Sequence, residues 1–138
     1  MSILTDEPCL YLDTSALGRV LTNDPTRGAV LDALEEFEVL TSSQLVRIEL
    51  LRMAERRGGD VRVAEKLLSR IGLVPLDGAV LEAAETVPPA YVAALDALHL
   101  ATILRLREND AVHAVLTYDK DLARACEEHG IHVLSPEA

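Results

Sequence analysis

With 138 residues, 49% of them hydrophobic and 26% charged, the chain is long enough to bury roughly two thirds of its unfolded surface in one domain, and its composition excludes an intrinsically disordered polymer. A formal net charge of −10 argues against an open, sequence-blind phosphate binder, which presents a basic face. Aromatics make up only 3% and Trp is absent, so Leu, Val, Ile and Ala must build the core.

In chain order, CLYL (9–12) predicts a strand, and the hydroxyls opening TSALGRVL start a helix behind it. A helix is expected from about Pro25 to Glu36, then a strand at FEVLTS (37–42). Residues 43–58 read as a helix with Leu45, Ile48, Leu51 and Arg52 at helical spacing and Gly58-Gly59 as its stop. Val61 to Arg70 predicts another helix, leading into the strand GLVPL (72–76). Ala79 to Thr86 is a short helix ending at Pro88-Pro89, and a longer, apolar one is expected at about 95–108. The strand AVLTY (114–118), a helix at 120–129 and a last strand, IHVL (131–134), close the chain.

Strands separated by helices of ten or so residues imply right-handed crossovers. The expected fold class is α/β: a single domain over 1–138, with a central, mainly parallel sheet of about five strands flanked by helices on both faces. The strand runs are continuously apolar, as strands buried on both sides are. Cys9 and Cys126 match no metal or redox spacing and read as buried free thiols. No charged-then-apolar leader opens the chain and no apolar run reaches membrane-spanning length, so a cytoplasmic protein without a membrane partner is expected.

Two strands end on an acid, CLYLD at Asp13 and VLTYD at Asp119. In open α/β sheets, ligands bind outside the carboxyl ends of the strands where the strand order reverses, so these two share a crevice if their strands are neighbours. Each alone is as well explained as the N-cap of the next helix, the role expected of Asp77 in VPLD. Glu49 lies within a helix close to the face of Leu45, Arg52 and Met53, where an exposed glutamate paired with Arg52 is the ordinary explanation. Asp96, near the start of its helix, can cap backbone donors and gain from the macrodipole, together roughly 0.5–2 kcal/mol. His99, three residues on, shares that face, which allows a joint metal site, a hydrogen bond fixing the aspartate, or plain packing. His113, His129 and His132 are scattered and support no zinc site. Residues 47–70 hold seven basic side chains (Arg47, Arg52, Arg56, Arg57, Arg62, Lys66, Arg70) against four acidic ones, which is either a solvated helix surface or an anion-facing one.

YLDTSAL, SSQLVRIELLR, LDALHLATIL and LTYDKDLARA, in that order over about 10–134, together resemble the PIN-domain ribonucleases, and among them the VapC type, the toxins of bacterial toxin–antitoxin pairs. The resemblance implies an acidic catalytic and metal-binding set of Asp13, Glu49, Asp96 and Asp119, with Thr14, Ser15 and Thr117 as accompanying hydroxyls and His99 in support. Asp121 reads instead as a first-turn helix charge. Four carboxylates within about 5 Å repel by roughly 3 kcal/mol per pair at an effective dielectric near 20, so either their pKa values rise or a cation is bound. Oxygen ligands with no Cys and no paired His select Mg2+ or Mn2+ over zinc. The implied function is a Mg2+- or Mn2+-dependent endoribonuclease toxin that hydrolyses RNA with a metal-activated water, leaving a 5′-phosphate and a 3′-hydroxyl. Arg52 and Arg56, on the helix of Glu49, are candidate RNA contacts, and the implied partners are a VapB-type antitoxin and a second copy of the chain. The alternative is a non-catalytic PIN-fold binding or regulatory module. A phospho-acceptor signalling domain would want paired acids after its first strand and a Lys after its last, and LYLDTS and HVLSPEA supply neither.

Overall fold

The structure, a computed structural model, describes residues 8–138; the expectation about the opening leader falls outside that range. Within these residues, five strands form one sheet: β1 (Cys9–Leu12), β2 (Val39–Ser43), β3 (Gly72–Val74), β4 (Ala114–Leu116) and β5 (Val133–Leu134). Their order is β3-β2-β1-β4-β5 and every pairing is parallel, so the mainly parallel expectation becomes an all-parallel sheet. The chain moves outward from β1 through β2 to β3, then returns to place β4 on the other side of β1. The reversal therefore lies between β1 and β4, with Leu12 opposite Leu116 at the carboxyl ends.

Among the described residues, seven helices connect and cover the strands: α1 (Thr14–Leu21), α2 (Arg27–Glu35), α3 (Gln44–Arg56), α4 (Val61–Leu68), α5 (Gly78–Thr86), α6 (Ala94–Glu108) and α7 (Lys120–Glu128). Alternation along the strands sorts the core into two layers. Leu10, Leu12, Ala114 and Leu116 face one way, onto Leu17, Val30, Leu34, Val46, Leu50 and Leu67 of the first four helices. Tyr11 and Val115 face the other way, onto Leu100, Ile103, Leu122 and Ala125 of α6 and α7. Both thiols are buried and free.

Two local features hold neighbouring helices together. A Cβ at Gly18 would lie 2.9 Å from the sulfur of Met53, so glycine permits the close approach of α1 to α3. Asp77 caps α5 through Val80 N at 3.0 Å and also accepts from Arg105 of α6 at 2.7 and 2.8 Å, tying the two helices together. Among the described residues, no helix is long and apolar enough to cross a membrane.

Candidate active site

Asp13 and Asp119 follow neighbouring strands, as the crevice requires. Both are also N-caps: Asp13 Oδ1 accepts from Ala16 N at 3.2 Å, and Asp119 Oδ1 from Leu122 N at 2.9 Å. Cap and site are therefore one arrangement, since the geometry that satisfies the helix start also holds the carboxylate at the sheet edge.

Asp13 is only 3% exposed. Ser15 Oγ donates to its Oδ1 at 2.7 Å and Thr117 Oγ1 to its Oδ2 at 2.8 Å. Burial still raises its pKa above the ordinary aspartate value, against the pull of those hydrogen bonds and of His99. Tyr118 N in turn donates to Ser15 Oγ at 2.8 Å and Asp119 N to Thr117 Oγ1 at 3.0 Å, so the hydroxyls are themselves held by the backbone leaving β4.

Asp96 does not cap α6. The N-cap position is Ala93, with no side-chain hydrogen bond, and Asp96 stands in the first helical turn. Its carboxyl is turned to Asp119 instead. Desolvation, the charge of Asp119, a hydrogen bond shared with Asp119 and the charge of Asp13 together push its pKa up to about 7, with His99 working against them. Such a shift, at a strand-end crevice, marks a place where burial and neighbouring negative charge both oppose ionisation.

Glu49 is not an exposed partner of Arg52. Its side chain is 23% exposed, and its Oε1 accepts from Thr14 Oγ1 at 2.6 Å and contacts His99 Nε2 at 3.1 Å. Burial alone would raise its pKa, but those two hydrogen bonds outweigh it and leave the carboxyl below the ordinary glutamate value. His99 thus fixes Glu49 and not Asp96. The alternative lost because the 3-residue spacing that puts His99 on the Asp96 face also aims its ring at α3, which only the packing of α6 decides.

The four carboxylates do not gather into one tight quartet. Among the described residues, no three Asp, Glu, His or Cys side chains form a cluster able to hold an ion by themselves. Asp13 is engaged by Ser15, Thr117 and Ala16 and Glu49 by Thr14 and His99, which leaves Asp96 and Asp119 as the facing pair. Asp121 is exposed in the first turn of α7, away from these contacts.

One participant escaped sequence reasoning. Tyr11 Oη lies 2.7 Å from His99 Nδ1, and the two rings meet edge to face at 5.9 Å. The available signal was a polar-tipped ring in the middle of an apolar strand, on the opposite face from Leu10 and Leu12.

Comparison with known proteins shows the family and the fold. The family model described as PIN domain matches residues 10–128. The chain is similar to Ribonuclease VapC47 of Mycobacterium tuberculosis, at 35% identity over 135 residues covering 94% of this chain and 98% of that one. Among solved structures, a toxin–antitoxin complex from Klebsiella pneumoniae superposes with a TM-score of 0.71 at 18% identity, covering 93% of this chain and 98% of that chain. The sarcin–ricin-loop-cleaving toxin VapC20 of Mycobacterium tuberculosis gives 0.65 at 18% identity, covering 84% and 94%. At that identity the two structures speak for the fold alone.

Proposed function

The chain belongs to the PIN-domain family, and from that premise we propose that it is a metal-dependent endoribonuclease of the VapC toxin type, acting on RNA phosphodiester bonds. One observation carries the proposal: at the reversal between β1 and β4, Asp96 faces Asp119 with buried Asp13 beside them, and burial together with the charge of these neighbours lifts the Asp96 carboxyl to about 7.

These residues fit a hard divalent cation. The donors are all carboxylate oxygens, neither buried thiol belongs to the set, and the surplus negative charge is of the kind a cation offsets. Mg2+ keeps several waters and binds through one or two carboxylates, so a facing pair suffices where a full cage is absent. Asp96 and Asp119 would hold it directly, with Asp13 and Glu49 completing the charge around it. When bound, such an ion lowers the pKa of water toward neutrality and offsets the charge that develops on the phosphodiester.

The chain's own side chains do the rest. Ser15 and Thr117 lock both oxygens of Asp13, and Thr14 with His99 locks Oε1 of Glu49. Because both of those donors bind Oε1, Oε2 of Glu49 is the oxygen left to accept a proton from an attacking water. Arg52 and Arg56 stand three and seven residues beyond Glu49 on α3, both exposed, where they contact the RNA backbone. A cognate VapB-type antitoxin covers the site, and a second copy of the chain covers exposed apolar side chains such as Ile48 (56%), Leu81 (48%) and Leu95 (52%).

Expression of the wild-type chain should arrest growth, and mapping of RNA ends should find new 5′-phosphates. The purified protein should cleave RNA with Mg2+ or Mn2+ and not after chelation, and Asp96→Asn should abolish both effects. A wild-type protein that binds RNA and never cuts it, with either ion, would leave only the non-catalytic module.

A further inference from the structure

A buried chain of hydrogen bonds runs beneath the candidate site. Tyr11 is 0% exposed in the middle of the sheet and His99 is 2% exposed on α6, packed in the layer of Leu100, Ile103, Val115 and Leu122. The tyrosine hydroxyl meets Nδ1 at 2.7 Å, and Nε2 meets Glu49 Oε1 at 3.1 Å. A carboxylate oxygen only accepts, so Nε2 carries the proton directed at Glu49, and in the neutral ring Nδ1 accepts from the tyrosine. With the ring neutral, the links run from Tyr11 to His99 to Glu49.

As core packing this is an expensive arrangement. Burying a hydroxyl and an imidazole costs free energy that hydrogen bonds only offset, and an apolar pair of the same volume would fill the layer without that penalty. What the pair adds is direction. One link sets the tautomer and the ring plane of His99, and the next holds one oxygen of a half-buried carboxylate from below while Thr14 holds the same oxygen from the side, at 2.6 Å.

We infer that Tyr11 and His99 are positioning residues for Glu49: they fix its Oε1 from inside the core so that Oε2 is presented to the cation and the attacking water. Neither touches substrate. The inference rests on the nuclease reading of the site, and it adds two residues that act only through Glu49.

The test compares wild type with His99→Leu, His99→Gln, Tyr11→Phe and Asp96→Asn, by Mn2+ titration calorimetry, thermal melting and cleavage of an RNA fragment that the wild type cuts. His99→Leu lowers kcat about 10–100-fold with KM unchanged and weakens Mn2+ binding by a smaller factor, as loss of a group that orients a carboxylate beside the ion does. His99→Gln, whose amide N–H reaches from near the position of Nε2, returns both to within about threefold of wild type. Tyr11→Phe falls between wild type and His99→Leu. A folded His99→Leu that binds Mn2+ and turns over like wild type overturns the inference, as does a folded His99→Gln no better than His99→Leu. If His99→Leu does not fold, Tyr11→Phe decides, because it removes a single oxygen: unchanged Mn2+ affinity and turnover there leave the pair as packing alone. Wild type failing to bind Mn2+ or to cleave would sink the nuclease reading itself, and Asp96→Asn shows that the assay reports on this site.

Discussion

At the scale of single residues, Asp96 makes the sharpest statement. Its carboxyl is raised to about 7 from an ordinary value of 3.8, mainly by desolvation and by Asp119. A raised acid pKa means that the folded state keeps a proton that the unfolded chain has released. Below about 3.8 both states are protonated and the site contributes nothing; as pH rises from there through about 7, stability falls. Asp96→Asn removes that penalty. Without divalent ions, the variant should melt higher than wild type at pH 8, by about 1–2 kcal/mol after allowance for solvent screening, with the gap closing toward pH 5. Differential scanning calorimetry at both pH values decides, and a variant that melts lower at pH 8 would return Asp96 to a structural role. Added Mn2+ should reverse the order, because an ion that binds only the folded wild type raises its melting point by mass action. Glu49 works in the opposite sense: its pKa is held below the ordinary value by His99 and Thr14, so it stabilises at neutral pH and loses that contribution as pH falls.

At the scale of elements, Asp77 separates cap from catalysis. It caps α5 and pairs with Arg105, with no contact to the site. Asp77→Ala should lower Tm by roughly 3–6 °C, while Asp77→Asn, which keeps the cap, loses less than half of that. Neither should change cleavage; a large loss of activity in either would mean that α5 bears on the position of α6. The strand-end acids were legible in the sequence because a short apolar run followed by Asp is a local pattern. Element order was legible for the same reason, and α6 was expected at about 95–108 and lies at Ala94–Glu108. Strand ends were less so. GLVPL stops pairing at Val74 because the Pro75 that follows has no N–H to donate, and only Val133–Leu134 of IHVL finds partners on β4. The partner of His99 was not legible at all, since it depends on how α6 lies across α3 and on which face of β1 carries Tyr11. Both are set by tertiary packing.

At the scale of the whole molecule, a chain of net charge −10 has, on the proposed function, to approach a polyanion. The basic segment 47–70 resolves that conflict only in part, because much of it is neutralised locally. Arg47 pairs with Glu65 at 2.7 Å, Arg62 with Asp60 at 3.1 Å and Arg70 with Glu35 at 3.3 Å. Arg52 and Arg56 make no ion pair among the described residues, and both lie on the Glu49 face of α3. The solvated, self-compensated account therefore holds for the paired arginines, and the anion-facing one is proposed for these two. Binding of single-stranded RNA to a cleavage-dead Asp96→Asn background separates them. Removing Arg52 or Arg56 should weaken binding uniformly across sequences and reduce the slope of log affinity against log salt by about 0.7 each, the value for one phosphate contact on a single strand. Arg47→Ala should leave the slope where it was. If all three variants change the slope alike, the approach of RNA is governed by the net field of the segment and not by two placed side chains.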